Sequence, residues 1–169
     1  MNDQTPIPDA APQAATDAPV FTIERVYVKD LSVENPSSPQ SFLLQDSPQI
    51  EVSLQTRGQP VSDGVFESVL TVTVTAKVGE QTIFLVEVAQ AGIFQIRNVP
   101  ETDLQPILGV HCPNILFPYA RENISSAIIR AGYPPVHLAP INFEALYAQQ
   151  LQQMQAAQAP QSPIIQSTH

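Results

Sequence analysis

Residues 65–96, "VFESVLTVTVTAKVGEQTIFLVEVAQAGIFQI", decide the fold of this chain. Over 65–78, Phe66, Leu70, Val72, Val74, Ala76 and Val78 face one way, while Glu67, Thr71, Thr73 and Thr75 face the other. A period of two with one apolar side is a strand with one buried face. "GE" at 79–80 places glycine first in a two-residue connection, the chemistry of a tight hairpin turn. From 81 to 96 the alternation resumes, with Phe84, Val86, Val88, Phe94 and Ile96 on one face and Leu85 and Glu87 on the opposite one.

Upstream, "IEVSLQT" (50–56) alternates cleanly, with Ile50, Val52 and Leu54 on one side, and "RGQPVSDG" reads as the turn that follows. "VFTIERVYVKDLSVE" (20–34) is a long strand rich in β-branched residues whose phase slips. Strict alternation puts Phe21 and Ile23 on one face, Val26 and Val28 on the other, and Leu31 and Val33 back on the first. A bulge, or a strand buried differently along its length, accounts for that. "ENPSSPQSFLLQDSPQ" reads as a loop. Four strands therefore form an antiparallel sheet with an apolar and a more polar face, and the apolar face needs a cover.

Downstream the period approaches four. In "NILFPYARENISSAIIRAG", Leu116, Ala120, Ile124, Ala127, Ile128 and Ala131 recur at helical spacing, and Gly132 with Pro134 and Pro135 ends the run. Pro113 or Pro118 belongs in its first turns, and Phe117, before a proline, predicts an irregular start there. "YPPVHLAP" is a semi-rigid connector, and Asn142 is a good N-cap for a second helix, "FEALYAQQLQQMQAAQ". The fold class is α+β: a four-stranded antiparallel sheet with its apolar face covered by a long helix and a shorter C-terminal helix. One domain is expected over 20–157, between disordered segments 1–19, rich in Pro, Ala, Asp and Thr, and 158–169, of similar character, which offer little to bury.

The net charge of -9 argues against nucleic acid and against anionic lipid surfaces, while leaving cationic or unfolded protein partners open. The N-terminal segment lacks Lys, Arg and an apolar stretch, so no signal peptide is expected, and no run is long enough to span a bilayer. A single cysteine suits a reducing compartment. Together these features predict a cytoplasmic protein.

Cys112 beside His111 invites a thiol or metal reading. Adjacent side chains seldom meet, and no Cys or His pair has ligand spacing, so a small buried cysteine is expected, with no metal and no cofactor. The only lysines, Lys29 and Lys77, lie outside any phosphate-binding loop, and no nucleophile elbow is present. No catalytic residue is assigned. On the polar sheet face, Asp30 and Glu34 share a side, as do Leu85 and Glu87. If these strands meet, the face is either plainly solvated or an acidic patch with an apolar centre that suits a basic docking partner. Finally, Ile124, Ile128 and Ile129 widen the helix stripe beyond one face, which predicts oligomerisation or a local kink.

"LGVHCPNILFPYARENISSAIIRAGYPPVHLAPINFEALY" closely resembles the C-terminal half of the SecB family of protein-export chaperones. "RVYVKDLSVENPSSP" resembles the family's first strand, and "VTVTAKVGEQTIFLVEVAQAGIF" its third and fourth, so the resemblance spans about residues 20–151. It implies a cytosolic homotetramer, a dimer of dimers. Such a protein holds unfolded precursor proteins without ATP and delivers them to the translocation motor SecA. It further implies that Asp30, Glu34, Leu85 and Glu87 dock the zinc-bearing C-terminal tail of SecA. Clients would lie in hydrophobic grooves that include Ile50, Val52 and Leu54, under a movable lid carrying Leu138, Phe143, Leu146 and Tyr147. Val86, Val88 and Gln90, with Ile124 and Ile128 of the helix, would bear on oligomer formation. The chain departs from the family's usual Gly-Gly in the fourth strand, having Ala91-Gly92, an expected stiffening of the bend. It also has Val86 and Asn123 where relatives commonly have cysteine. The alternative is a SecB-like holdase serving another pathway, such as toxin–antitoxin control.

Overall fold

A computed structural model describes residues 18–158. The disordered ends expected from composition lie outside the described residues, apart from positions 18, 19 and 158. Four strands, β1 (Val20–Glu34), β2 (Gln49–Ser62), β3 (Val65–Val78) and β4 (Gln81–Arg97), form one antiparallel sheet in the order β1-β4-β3-β2. β4 is central, so the first strand closes back beside the last. Val78 pairs with Gln81 across the two-residue turn, and Gly79 takes φ 57°, which a residue with a Cβ rarely adopts.

β2 is longer than its alternating core indicates. The segment read as a turn, "RGQPVSDG", continues the strand to Ser62, and only Asp63 and Gly64 make the connection. Pro60 is tolerated because β2 is an edge strand, with a register shift between Pro60 and Ser62. Gly58 lets β2 run close under the helical cover: a Cβ there would come within 3.1 Å of Leu108.

The phase of β1 is restored by two bulges. Register shifts fall between Ile23 and Arg25 and between Val28 and Asp30, so Glu24 and Lys29 are the extra residues. Phe21, Ile23, Val26, Val28, Leu31 and Val33 pair with Ile96, Phe94, Gly92, Gln90, Val88 and Val86, all on one face. The bulge offered for the phase slip is thus present, and it brings Val26 and Val28 onto the face of Phe21 and Ile23 rather than the opposite one. Each bulge adds one residue, and one residue inverts a strand's facing.

The cover is a helical run of three parts: α1 (Glu101–Pro106), a π-turn (Ile107–His111) and α2 (Cys112–Arg130). It starts at Glu101, well before the expected start, with Glu101 and Asp103 in the first turn, where carboxylates favour the helix dipole. Phe117 is helical and buried, so the irregularity expected at Phe117 is corrected to the π-turn upstream. Pro113 explains it. Proline has no N–H and its ring strikes the carbonyl four residues back, here Gly109. The wider turn carries the chain past that clash, and Cys112 N–H bonds Ile107 O, five residues back. α2 buries Cys112, Leu116, Phe117, Ala120, Ile124, Ala127 and Ile128 against the sheet. Gly132 ends it at φ 94°, with Tyr133 N–H returning to Ile128 O at 3.2 Å.

A connector leads to α3 (Phe143–Gln158). Asn142 caps it, its Oδ1 accepting from Ala145 N–H at 3.0 Å. α3 docks on the π-turn: the Tyr147 ring lies so close to Gly109 that a Cβ there would meet it at 2.6 Å. Phe143 is buried and packs edge-on against Phe117, 5.9 Å between centroids.

Candidate functional site

Three surfaces follow from this frame. The first is the open face of the sheet. Glu34 pairs with Leu85, Ser32 with Glu87 and Asp30 with Ala89, so all point away from the helices. Asp30, Glu34, Leu85 and Glu87, from strands far apart in the chain, therefore share one patch. Asp30 and Glu34 are exposed, Leu85 and Glu87 half-buried. β3 completes the floor with threonines: Thr73 pairs with Glu87, and its hydroxyl donates to the Glu87 carboxylate at 2.7 Å. That bond orients the carboxylate without cancelling its charge.

Further along the same face lies a group that sequence reasoning did not single out. Glu67 is only 5% exposed. Lys29 Nζ donates to both its oxygens, at 2.9 and 2.8 Å, Gln59 Nε2 to one at 2.7 Å, and the Tyr27 hydroxyl to the other. These donors hold its carboxyl below the ordinary value, Lys29 first and then Tyr27, against the opposing effect of burial. The same contact pushes the Tyr27 phenol up to about 12. Ala89 and Ala91 of β4 lie between, paired with Asp30 and Tyr27 on one side and with Thr71 and Val69 on the other. Their small side chains leave room for Tyr27 and Lys29 to reach across. The sequence signal was present: a lone glutamate among the threonines and valines of a central strand.

The second surface is an apolar groove on the helix side. A concavity of about 440 Å³ is lined by Phe42, Leu44, Ile50, Phe84, Tyr133 and Val136, among others. Tyr133 organises it. Its ring stacks on Phe42 at 5.0 Å and tilts against Phe84 at 4.9 Å, and its hydroxyl bonds Asn35 Oδ1 and Ser41 Oγ, each at 2.7 Å. Ile50 and Val52 are exposed on this side of β2, and Leu54 is half-buried. Leu138 and Phe143 are buried in the core; Leu146 and Tyr147 pack partly buried against it.

The third is the outer edge. Phe21, Ile23, Val28, Leu31 and Val33 form an exposed apolar row on the helix side of β1, and Tyr119 and Ile129 are exposed on α2. Val86, Val88, Gln90, Ile124 and Ile128, the residues linked to oligomer formation, lie instead inside this one chain, at most 2% exposed. Gln90 ties the core together: its amide donates to Tyr27 O and accepts from Asn123 Nδ2, both at 2.8 Å, joining β1, β4 and α2.

Cys112 is fully buried, and burial pushes its thiol up to about 12, far from a reactive thiolate. Among the described residues no helix is long and apolar enough to cross a membrane.

A sheet with an acidic open face and an apolar groove beside its helices suits a protein that binds other polypeptides. The comparisons with known proteins agree. Residues 14–154 match the family model described as "Preprotein translocase subunit SecB". The chain is 67% identical over 132 residues to the protein-export protein SecB of Chromobacterium violaceum, covering 78% of this chain and 88% of that one. It is 62% identical over 134 residues to that of Dechloromonas aromatica, covering 79% and 88%. Among solved structures, a SecB-like chaperone of Mycobacterium tuberculosis, in complex with a ChAD peptide from an antitoxin, superposes with a TM-score of 0.60. It shares 13% identity and covers 72% of this chain and 90% of that one, a likeness of fold.

The chain belongs to the SecB family. It is a cytoplasmic protein-export chaperone without enzymatic activity, holding precursor proteins competent for export and delivering them to SecA.

Proposed function

We propose that delivery runs through the open face, with Asp30, Glu34, Leu85 and Glu87 docking the zinc-bearing C-terminal tail of SecA. The observation that carries this reading is the β1–β4 register, which sets Glu34 opposite Leu85, with Glu87 and then Asp30 in the next two rows of the same face. Clustered carboxylates favour a basic partner and quicken its approach, and Leu85 adds an apolar contact that fixes the register of docking. Zinc in this reading belongs to the partner.

Clients occupy the groove along Ile50, Val52 and Leu54. Leu138 and Phe143, buried in this state, come into reach when the connector and α3 lift as a lid that also carries Leu146 and Tyr147. An extended apolar groove beside an edge strand suits unfolded chains, which offer apolar side chains and unpaired backbone. The subunits assemble as a homotetramer, a dimer of dimers. Supporting this is the exposed apolar row of β1 with Tyr119 and Ile129, an apolar edge that suits a contact between subunits.

The deciding experiment measures SecA and client binding by the assembled protein carrying Glu87→Lys. Loss of SecA binding with client binding intact is expected; SecA binding that survives the charge reversal overturns the docking assignment. Light scattering should give a mass near four times 18.4 kDa.

A further inference from the structure

The open face carries Asp30, Glu34 and Glu87 and, further along, Glu67. Three form the proposed docking patch, and Glu67 stands apart. It is buried to 5% exposure, and Lys29 grips both its oxygens, at 2.9 and 2.8 Å. Lys29 is the bulge residue next to Asp30, half-exposed and on the same face. The chain has only two lysines, and the other, Lys77, is held by Glu51 at 2.9 Å. Arg25 and Arg57 also lie on this face, paired with Ile93 and Val69. Lys29 is the cation beside Asp30 in the chain, and its partner is a carboxylate outside the patch, while among the described residues no ion pair involves Asp30, Glu34 or Glu87.

We infer that Glu67 is a positioning residue for the docking surface: by holding Lys29 across the small side chains of Ala89 and Ala91, it keeps that lysine from neutralising the patch. The inference rests on the docking reading above. Without the Glu67 charge the face becomes one unit more positive beside Asp30. The freed ammonium, on a flexible four-carbon stem, would settle against the nearest open carboxylate. A basic partner then meets one charge fewer. A structural clamp alone predicts otherwise, because a clamp is weakened by removing either end or both.

The test uses the assembled full-length protein and SecA, with affinity measured at low and high salt. Glu67→Gln, which keeps shape and hydrogen-bonding capacity, should weaken SecA binding about three- to tenfold at low salt, the scale of one unit charge near a protein surface. The difference should shrink at high salt. Adding Lys29→Met to Glu67→Gln should restore the original affinity, because the pair removed is neutral as a whole. Unchanged binding in Glu67→Gln, or a loss that Lys29→Met does not restore, overturns the inference. Should the single variant fail to fold, the double variant decides alone: affinity equal to the unchanged protein is expected, and weaker binding overturns it. Glu87→Lys serves as the control. If it leaves SecA binding intact, the docking reading itself fails and this inference falls with it; if it abolishes binding while Glu67→Gln has no effect, only this inference fails.

Discussion

On the covered face of the sheet Leu70, Val72, Val74, Val86, Val88 and Phe94 are fully buried against Leu116, Ile124 and Ile128. On the open face the same two strands present Thr71, Thr73, Thr75, Leu85 and Glu87, all partly in water. One face is held by apolar area and close packing, where a lost methylene is felt at once. The other is held by cross-strand pairs and one sealed carboxylate, whose exposed neighbours contribute little to stability. Surface charge can therefore be arranged for a partner on the open face at small cost to the fold.

That contrast is breakable by substitution. Leu116→Ala opens a cavity at the centre of the covered face and should cost about 3–5 kcal/mol in chemical denaturation. A cost under about 1 kcal/mol would mean the helix does not pack as described. Glu67→Ala removes the one buried charge of the open face and leaves Lys29 without its partner. It should cost about 1–3 kcal/mol, less than a fully buried pair because Lys29 is partly solvated. The pH dependence follows from the lowered carboxyl: its contribution is present above the ordinary value of 4.5 and fades as pH falls through the lower folded value. The stability gap between the native protein and Glu67→Gln should therefore narrow in urea melts as pH falls below the ordinary value of 4.5. Gly109→Ala sets a methyl against the Tyr147 ring and should lift α3, at a cost of about 1–2 kcal/mol, seen as faster amide exchange over 143–158. Cys112→Ala should cost about 1 kcal/mol and leave chaperone activity intact; loss of activity with the fold preserved would point to the thiol.

Much of the covered face was legible in the sequence because a period of two or four is written in every turn of the chain. β3, β4, their Gly79-Glu80 turn, the N-cap at Asn142 and the stop at Gly132 needed only local chemistry. The acidic patch was half legible: alternation grouped Asp30 with Glu34 and Leu85 with Glu87, while the adjacency of β1 and β4 had to come from the topology. The early start of the helical run was hidden because "VPETDLQPILGVHCP" carries three prolines and a glycine, each a breaker when taken alone. Packing against the sheet and one π-turn accommodate them. The buried state of Val86, Val88, Gln90, Ile124 and Ile128 was likewise beyond a pattern that grades residues as apolar without saying what covers them.

By itself the sequence determined the class of fold, the four strands, the two helical regions and the family resemblance, since these rest on periodicity, turn chemistry and an uninterrupted run around Cys112. Only the tertiary structure decided the facing of β1, the length of β2, the helix start and the Glu67 cluster. A bulge, an edge position, a proline passed by a wide turn and a lysine reaching over two alanines all depend on neighbours distant in the chain, and no local pattern records them.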